Sequence, residues 1–253
     1  MLAMFARLLP VPSHTFFLFG PRGTGKTTWL QQNFPTAKWF DLVRTSELLR
    51  FMRRPDEFRA EIEALPGKQW VVIDEIQKHP VLLNDVQGVI ITHGNRFRSA
   101  LTGSSARKLR RLDVNLLAGR AITRNFFPLT GAELNYQFVI EEVLRFGCLP
   151  KVRAEPHLAV DILEVYAATY LKEEIQQEAL VKDFASFSRF LEVAALMNGQ
   201  IVNVASIARD AAVARPTVQR YFDTLIDTLL GVATGVATTR QGEGSPTSQV
   251  LFL

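Results

Sequence analysis

At 253 residues, 47% hydrophobic and 21% charged, the chain has the make-up of an ordinary globular protein of one large domain or two smaller ones. Its single cysteine, Cys148, excludes an internal disulfide and a zinc-finger cluster and suits a reducing cytosol. His14, His79, His93 and His157 are scattered without metal-ligand spacing. The net charge of +4 is mild, and no apolar run approaches the roughly 18 residues that span a membrane.

Residues 1–9 lack a basic n-region and a small-residue cleavage site, so this start is expected to pack on the domain rather than act as a leader. The first predicted strand, residues 14–19, runs into Gly20-Pro21-Arg22-Gly23-Thr24-Gly25-Lys26-Thr27, which fits G-x-x-x-x-G-K-[ST], and Thr28 continues into a helix. Strand, glycine loop and helix N-terminus together form a phosphate cradle: backbone N–H groups close on the anion and the helix dipole favours it. Lys26 is expected to reach the β- and γ-phosphates and Thr27 to ligate Mg²⁺, while Arg22 and Thr24 shape the loop.

A second strand is predicted over 37–42, where Asp41 reads as a cap. Helices follow over 46–52 and 56–64, the latter entered through Pro55 with Asp56 as N-cap. After the Pro66-Gly67 turn, residues 70–75 read as a buried strand ending in Asp74 and Glu75. A helix over 80–91 is weakened by Gly88. Residues 99–105 form a short strand, and Ser105 caps a basic amphipathic helix to about residue 117. A fifth strand, 121–127, closes at Pro128, and Thr130 to Glu133 is a capping box predicted to open the next helix.

Five short apolar strands alternating with helices predict an α/β fold: a P-loop NTPase with a parallel five-stranded sheet in a three-layer α/β/α arrangement. From residue 134 the strand signals stop, and helices are expected over 139–146, 157–179 and 186–197. Residues 203–222 have helix-turn-helix spacing, with Val204, Ile207 and Ala208 inward on one helix, a turn through Val213, and Val218 and Phe222 on the second. Residues 231–253 show neither periodicity nor a packable face and are expected to be poorly ordered. The implied organisation is an ATPase domain over 1–133, a helical lid over 134–185, a helix-turn-helix segment over 186–230 and a tail.

Asp74, at the end of a buried strand, is placed to meet the Mg²⁺ held by Thr27. Glu75 is placed to polarise a water against the γ-phosphate. Thr102, Ser104 and Ser105 end the adjacent strand, where one of them is expected to bond that phosphate or the water. Arg107 and Arg120 are the arginines expected to meet transition-state charge, in cis or from a neighbouring subunit. Gln77 either reads the nucleotide state or caps a turn. The run from Arg96 to Arg124 holds Arg96, Arg98, Arg107, Lys108, Arg110, Arg111, Arg120 and Arg124 against Asp113, a basic cluster that faces phosphate or simply water. No N-K-x-D or L-S-G-G-Q signature is present, so ATP is favoured over GTP.

The ordered set of the glycine loop, Asp74 to Lys78, Leu101 to Arg107, Leu117 to Ala121 and Pro128 to Glu133 resembles prokaryotic AAA+-type ATPases that join a P-loop domain to a C-terminal domain of unknown function. Gly147 to Pro150, Tyr170 to Ile175 and the helix-turn-helix agree. The resemblance implies strand order 5-1-4-3-2, a helical lid and a winged-helix segment. It also implies ATP and Mg²⁺ at Gly23, Gly25, Lys26, Thr27, Asp74 and Glu75. It further implies a nuclease-like region after the helix-turn-helix, which nothing in the tail matches, so a truncated or frame-shifted product is expected. The expected function is a Mg²⁺-dependent, cytoplasmic ATPase whose turnover moves the C-terminal module, with further copies of itself or a client protein as partners. The alternative is a nucleotide-switched, DNA-binding regulator with negligible turnover.

Overall fold

The computed structural model describes residues 5–104, 109, 117, 119–170, 183–235 and 248–252. The chain forms two compact units, Met1–Pro156 and His157–Leu253.

The first unit is built on β1 (Phe16–Phe19), β2 (Lys38–Asp41), β3 (Gln69–Asp74), β4 (Phe97–Gly103) and β5 (Ile122–Asn125). The order is β2-β3-β4-β1-β5 with every pairing parallel, which is the expected 5-1-4-3-2 arrangement seen from the other edge. Every side chain of β1 is buried, as a strand covered on both faces requires. The connections from β1 and β4 leave in opposite directions, so the crevice at the C-terminal ends of these neighbouring strands is the topological switch point where α/β sheets bind ligands.

Helix α1 (Lys26–Asn33) follows β1 and presses Trp29 and Leu30 onto the sheet. Phe16, Trp29, Phe34, Trp70 and Phe126 form one aromatic cluster there, in edge-on and tilted contacts with centroids 4.6–6.3 Å apart. Helices α2 (Thr45–Arg53) and α3 (Pro55–Glu63) close over β2 through Phe51 and Phe58, both packed on Phe40. Each fully buried phenylalanine contributes about 1.5–3 kcal/mol, so these two clusters anchor the layers that carry the β1 and β3 ends.

Three local expectations change. Helix α3 starts at Pro55 with Arg54, not Asp56, as N-cap; proline has no N–H to lose at the first helical position, and Asp56 and Glu57 then lie in the first turn, where the dipole favours acids. Helix α4 (Leu82–His93) runs through Gly88, and a Cβ there would stand 3.1 Å from Nη1 of Arg59, so the glycine makes room for α3. The capping-box bonds form, with the Thr130 amide 3.0 Å from Oε2 of Glu133 and the Glu133 amide 3.3 Å from Oγ1 of Thr130. No long helix follows, because Asn135 and Tyr136 turn left-handed (φ 52° and 55°) and stop it after one turn. The next helices are α5 (Ile140–Phe146) and α6 (Pro150–Ala154).

The unit boundary at residue 156 cuts through the stretch expected to be one lid. Only α7 (Ala159–Tyr170) of the helix predicted over 157–179 is described. The predicted basic helix after Ser105 lies outside the described residues, apart from the buried Leu109 and Leu117.

In the second unit, α8 (Phe184–Leu196) is capped by Asp183, and α9 (Val204–Asp210) by Asn203, each side chain accepting an amide hydrogen from a serine three residues on. Helix α10 (Arg215–Asp227) follows a short turn. Ile207, Ala208, Val218 and Phe222 are buried as predicted, against Phe187, Phe190 and Tyr221. The tail corrects the reading: β6 (Gly231–Gly235) pairs antiparallel with β7 (Ser248–Phe252), shortly after α10. A strand this short is stabilised by its cross-strand partner, which lies too far along the chain for local periodicity to reveal.

Candidate active site

The loop after β1 has the backbone that its glycines allow. Gly23 and Gly25 have φ of 77° and 91°, and Gly25 is the N-cap of α1. The first amides of α1 have no intrahelical acceptor, and no acidic residue lies in its first turn, which leaves this helix end open to an anion. Gly20 is required for a different reason: a Cβ there would lie 2.0 Å from the carbonyl oxygen of Phe126, so β1 and the β5 exit approach more closely than any side chain permits.

Lys26 is almost buried, 7% exposed, and its ammonium donates to the carbonyls of Gly20 at 2.6 Å and Pro21 at 3.0 Å. Thr24 closes the loop with its hydroxyl 2.9 Å from the Pro21 carbonyl. From α1, the Thr27 hydroxyl donates to Oδ2 of Asp74 at 3.1 Å, joining the loop to the end of β3. Thr102, fully buried on β4, donates to Oδ1 of Asp74 and accepts the Glu75 amide at 3.0 Å. Glu75 leaves the strand in a left-handed conformation, φ 61°, and its carboxylate accepts from the side-chain amide of Gln77. A hydroxyl and a carboxylate of hard oxygen character thus meet at Thr27 and Asp74, with Lys26 and Glu75 their neighbours in the chain. That donor set suits Mg²⁺ with a polyphosphate.

Residues 13–135 match a family described as an AAA domain, and residues 137–233 match a domain of unknown function (DUF8612). Residues 13–135 are thus an AAA domain. No curated protein matches it. Among solved structures it is similar to Aeropyrum pernix ORC1 in complex with DNA (14% identity, TM-score 0.36, 96% of this chain and 84% of that one covered). It is also similar to the ADP form of Aeropyrum pernix ORC2 (12%, 0.42, 87% and 81%) and to C. elegans PCH-2 (13%, 0.33, 86% and 62%).

The AAA domain brings together the expected Gly20 to Thr28 segment, Asp74, Glu75 and Thr102, but it changes the part Thr102 plays. A hydroxyl carries one hydrogen, and that of Thr102 is spent on Asp74, so this side chain braces the two acids instead of offering a donor to phosphate. Arg120 is not brought to the loop. The parallel register pairs Ile122 with Phe16 and Asn125 with Phe19, so Arg120 precedes β5 at the opposite end of the strands, a strand length of about 13 Å from the phosphate end. Arg96 lies at that same far end, donating to the carbonyls of Leu65 and Gly67, and Arg98 enters β4 beside it, over the Trp70 ring. Arg107 and Ser105 lie outside the described residues.

One residue near the site carried no sequence signal. Arg7, in the segment before β1, donates to the Thr24 carbonyl at 2.7 Å, the Phe127 carbonyl at 2.6 Å and Glu133 at 2.9 Å, and its guanidinium stands 3.8 Å over the Phe126 ring. Burial alone would raise the proton affinity of Glu133, but the Thr130 and Leu8 amides and Arg7 outweigh it and hold this carboxyl below its ordinary value. Arg7 therefore ties the back of the glycine loop to the exit of β5.

Proposed function

We propose that this AAA-domain protein binds ATP with Mg²⁺ and hydrolyses it, and that turnover moves the C-terminal helical and winged-helix module. The observation that carries the reading is the 3.1 Å bond between Thr27 and Asp74, which sets the helix-borne hydroxyl and the strand-end carboxylate side by side with Glu75 next in the chain. The α1 amides and Lys26 would take the phosphates, Lys26 exchanging the Gly20 and Pro21 carbonyls for phosphate oxygens. Thr27 and Asp74 would hold Mg²⁺, which when bound neutralises charge on the β- and γ-oxygens. Glu75 would accept the proton of the attacking water as its oxygen bonds to the γ-phosphorus and the bond to ADP breaks. With its own Arg120 at the far end of the strands, the arginine for transition-state charge would come from a neighbouring copy or from Arg107. Residues 134–185 would act as the lid, and the single cysteine fits a cytoplasmic setting. Among the described residues no helix is long and apolar enough to cross a membrane.

The test is phosphate release by the full chain with Mg²⁺. Lys26→Ala is expected to weaken nucleotide binding at least tenfold, and Glu75→Gln to keep binding while lowering turnover by about 10²–10⁴-fold to a measurable residual rate. Equal activity in both variants and the parent would overturn the proposal.

A second reading, a nucleotide-switched DNA-binding regulator, is favoured by the exposed Arg209, Arg215, Gln219 and Arg220 around α9 and α10. Contact with DNA phosphates would make binding fall steeply with salt, through displaced counterions. Binding to duplex DNA that is absent at low salt, or flat with salt, excludes it.

A further inference from the structure

We infer that Gln77 is the positioning residue that aims Glu75, a role that rests on the ATPase reading above. Gln77 lies in the short turn Ile76–Lys78 just after β3 and is 7% exposed. Its Nε2 donates to Oε2 of Glu75 and lies 3.4 Å from Oγ of Ser104, at the end of β4. Its Oε1 is buried with no hydrogen-bond partner.

That orphaned carbonyl argues against a merely structural part. A buried acceptor without a donor costs free energy, and an apolar side chain of similar size would avoid the cost. Nor does Gln77 cap the turn. The Lys78 amide bonds the Glu75 carbonyl at 3.0 Å and the His79 amide the Ile76 carbonyl at 3.1 Å, so the backbone closes the turn by itself. What the amide does accomplish is to hold a carboxylate. The Glu75 backbone is fixed left-handed and its amide is tied to Thr102, and the Gln77 amide is one of the groups that set the direction of its side chain. Gly103 accommodates this arrangement, since a Cβ there would stand 2.7 Å from Oε1 of Gln77. Strand β4 therefore presents a hydroxyl to one side of the amide and a bare backbone to the other.

A general base contributes about 10²–10⁴-fold, and only when aimed at its proton, so loss of the aiming group is expected to lower turnover by about tenfold or more. The test uses the full chain with ATP and Mg²⁺ and four variants: Gln77→Leu, Gly103→Ala, Glu75→Gln, and Gln77→Leu combined with Glu75→Gln. Gly103→Ala leaves the chemistry of Gln77 intact while its methyl would stand 2.7 Å from Oε1 of Gln77 and 3.2 Å from the Phe19 ring, so it moves the amide by a route different from Gln77→Leu, and urea unfolding of both variants separates a loss of aim from a loss of packing. The expected result is that both Gln77→Leu and Gly103→Ala lower kcat with ATP affinity within about twofold of the parent. In the Glu75→Gln background, Gln77→Leu is expected to have no further effect, because residues that act through one another are not additive. Unchanged kcat in Gln77→Leu, an equal loss of ATP affinity, or an undiminished effect in the Glu75→Gln background overturns the assignment. A parent that binds ATP without turning it over sinks the ATPase reading instead, and the assignment falls with it.

Discussion

Replacing Arg7 with alanine removes a side chain that ties the glycine loop to the exit of β5. Its guanidinium is 9% exposed and pairs with Glu133, 5% exposed, at 2.9 Å. Removing one partner of a buried pair costs about 3–5 kcal/mol. Glu133 keeps the amides of Leu8 at 2.9 Å and Thr130 at 3.0 Å, so its charge is not stranded, and the loss should fall near the lower end. At about 2–4 °C per kcal/mol for units of this size, a loss of about 3 kcal/mol lowers the melting temperature of the first unit by about 6–12 °C. The freed Thr24 carbonyl also loosens the loop, so ATP affinity should fall with stability. Melting followed by circular dichroism and equilibrium dialysis with ATP measure the two effects. Arg7→Lys, which keeps the charge but not the fork of donors, is expected to fall between. A melting temperature within about 1 °C of the parent, with ATP affinity unchanged, would refute the idea that this segment braces the loop.

Other consequences are more local. Thr102→Val keeps the shape but leaves the Glu75 amide and one oxygen of Asp74 without their partner, which should cost about 2–3 kcal/mol in urea unfolding and lower turnover. Gly20→Ala sets a methyl 2.0 Å from a backbone oxygen that has no rotamer to escape into, so a shift of the urea midpoint at or beyond the usual 1–3 kcal/mol of overpacking is expected, together with loss of nucleotide binding. Because the folded-state proton affinity of Glu133 is depressed, its contribution is fully present above the ordinary value of 4.5 and is lost as pH falls through its folded value. The gap in melting temperature between the parent and Glu133→Gln should therefore shrink once the pH drops below about 4.5, and a gap that widens there contradicts the ion pair.

The parts of the fold that the chain spells out locally are those whose function demands a short, contiguous pattern. The apolar run before Gly20, the glycine loop, and the strand ending at Asp74 and Glu75 each declare themselves within eight residues, because a buried parallel strand and a phosphate cradle both need neighbouring residues of fixed type. The helix pair around Val213 is legible for the same reason. Sheet order is different: five similar strands carry no label for their neighbours, and the order came from a resemblance. Arg7 shows the limit most clearly. It is one arginine in an apolar stretch, and its meaning lies 126 residues away at Glu133. The Thr130 capping box formed its bonds, yet the helix it announces is stopped by the left-handed Asn135 and Tyr136, neither of which is glycine. The sequence sets Thr102 and Arg120 near motifs, but the burial of one and the strand register of the other decide what each can reach.

The central claim is that the loop from Gly20 to Thr27, with Asp74, grips the phosphates of a nucleotide. Equilibrium dialysis of the full chain against ATP and Mg²⁺, with Lys26→Ala alongside, tests it directly. Saturable binding by the parent is expected, falling at least tenfold in the variant, a loss of about 1.4 kcal/mol or more. Absence of binding by a folded parent, or equal binding by Lys26→Ala, would contradict it.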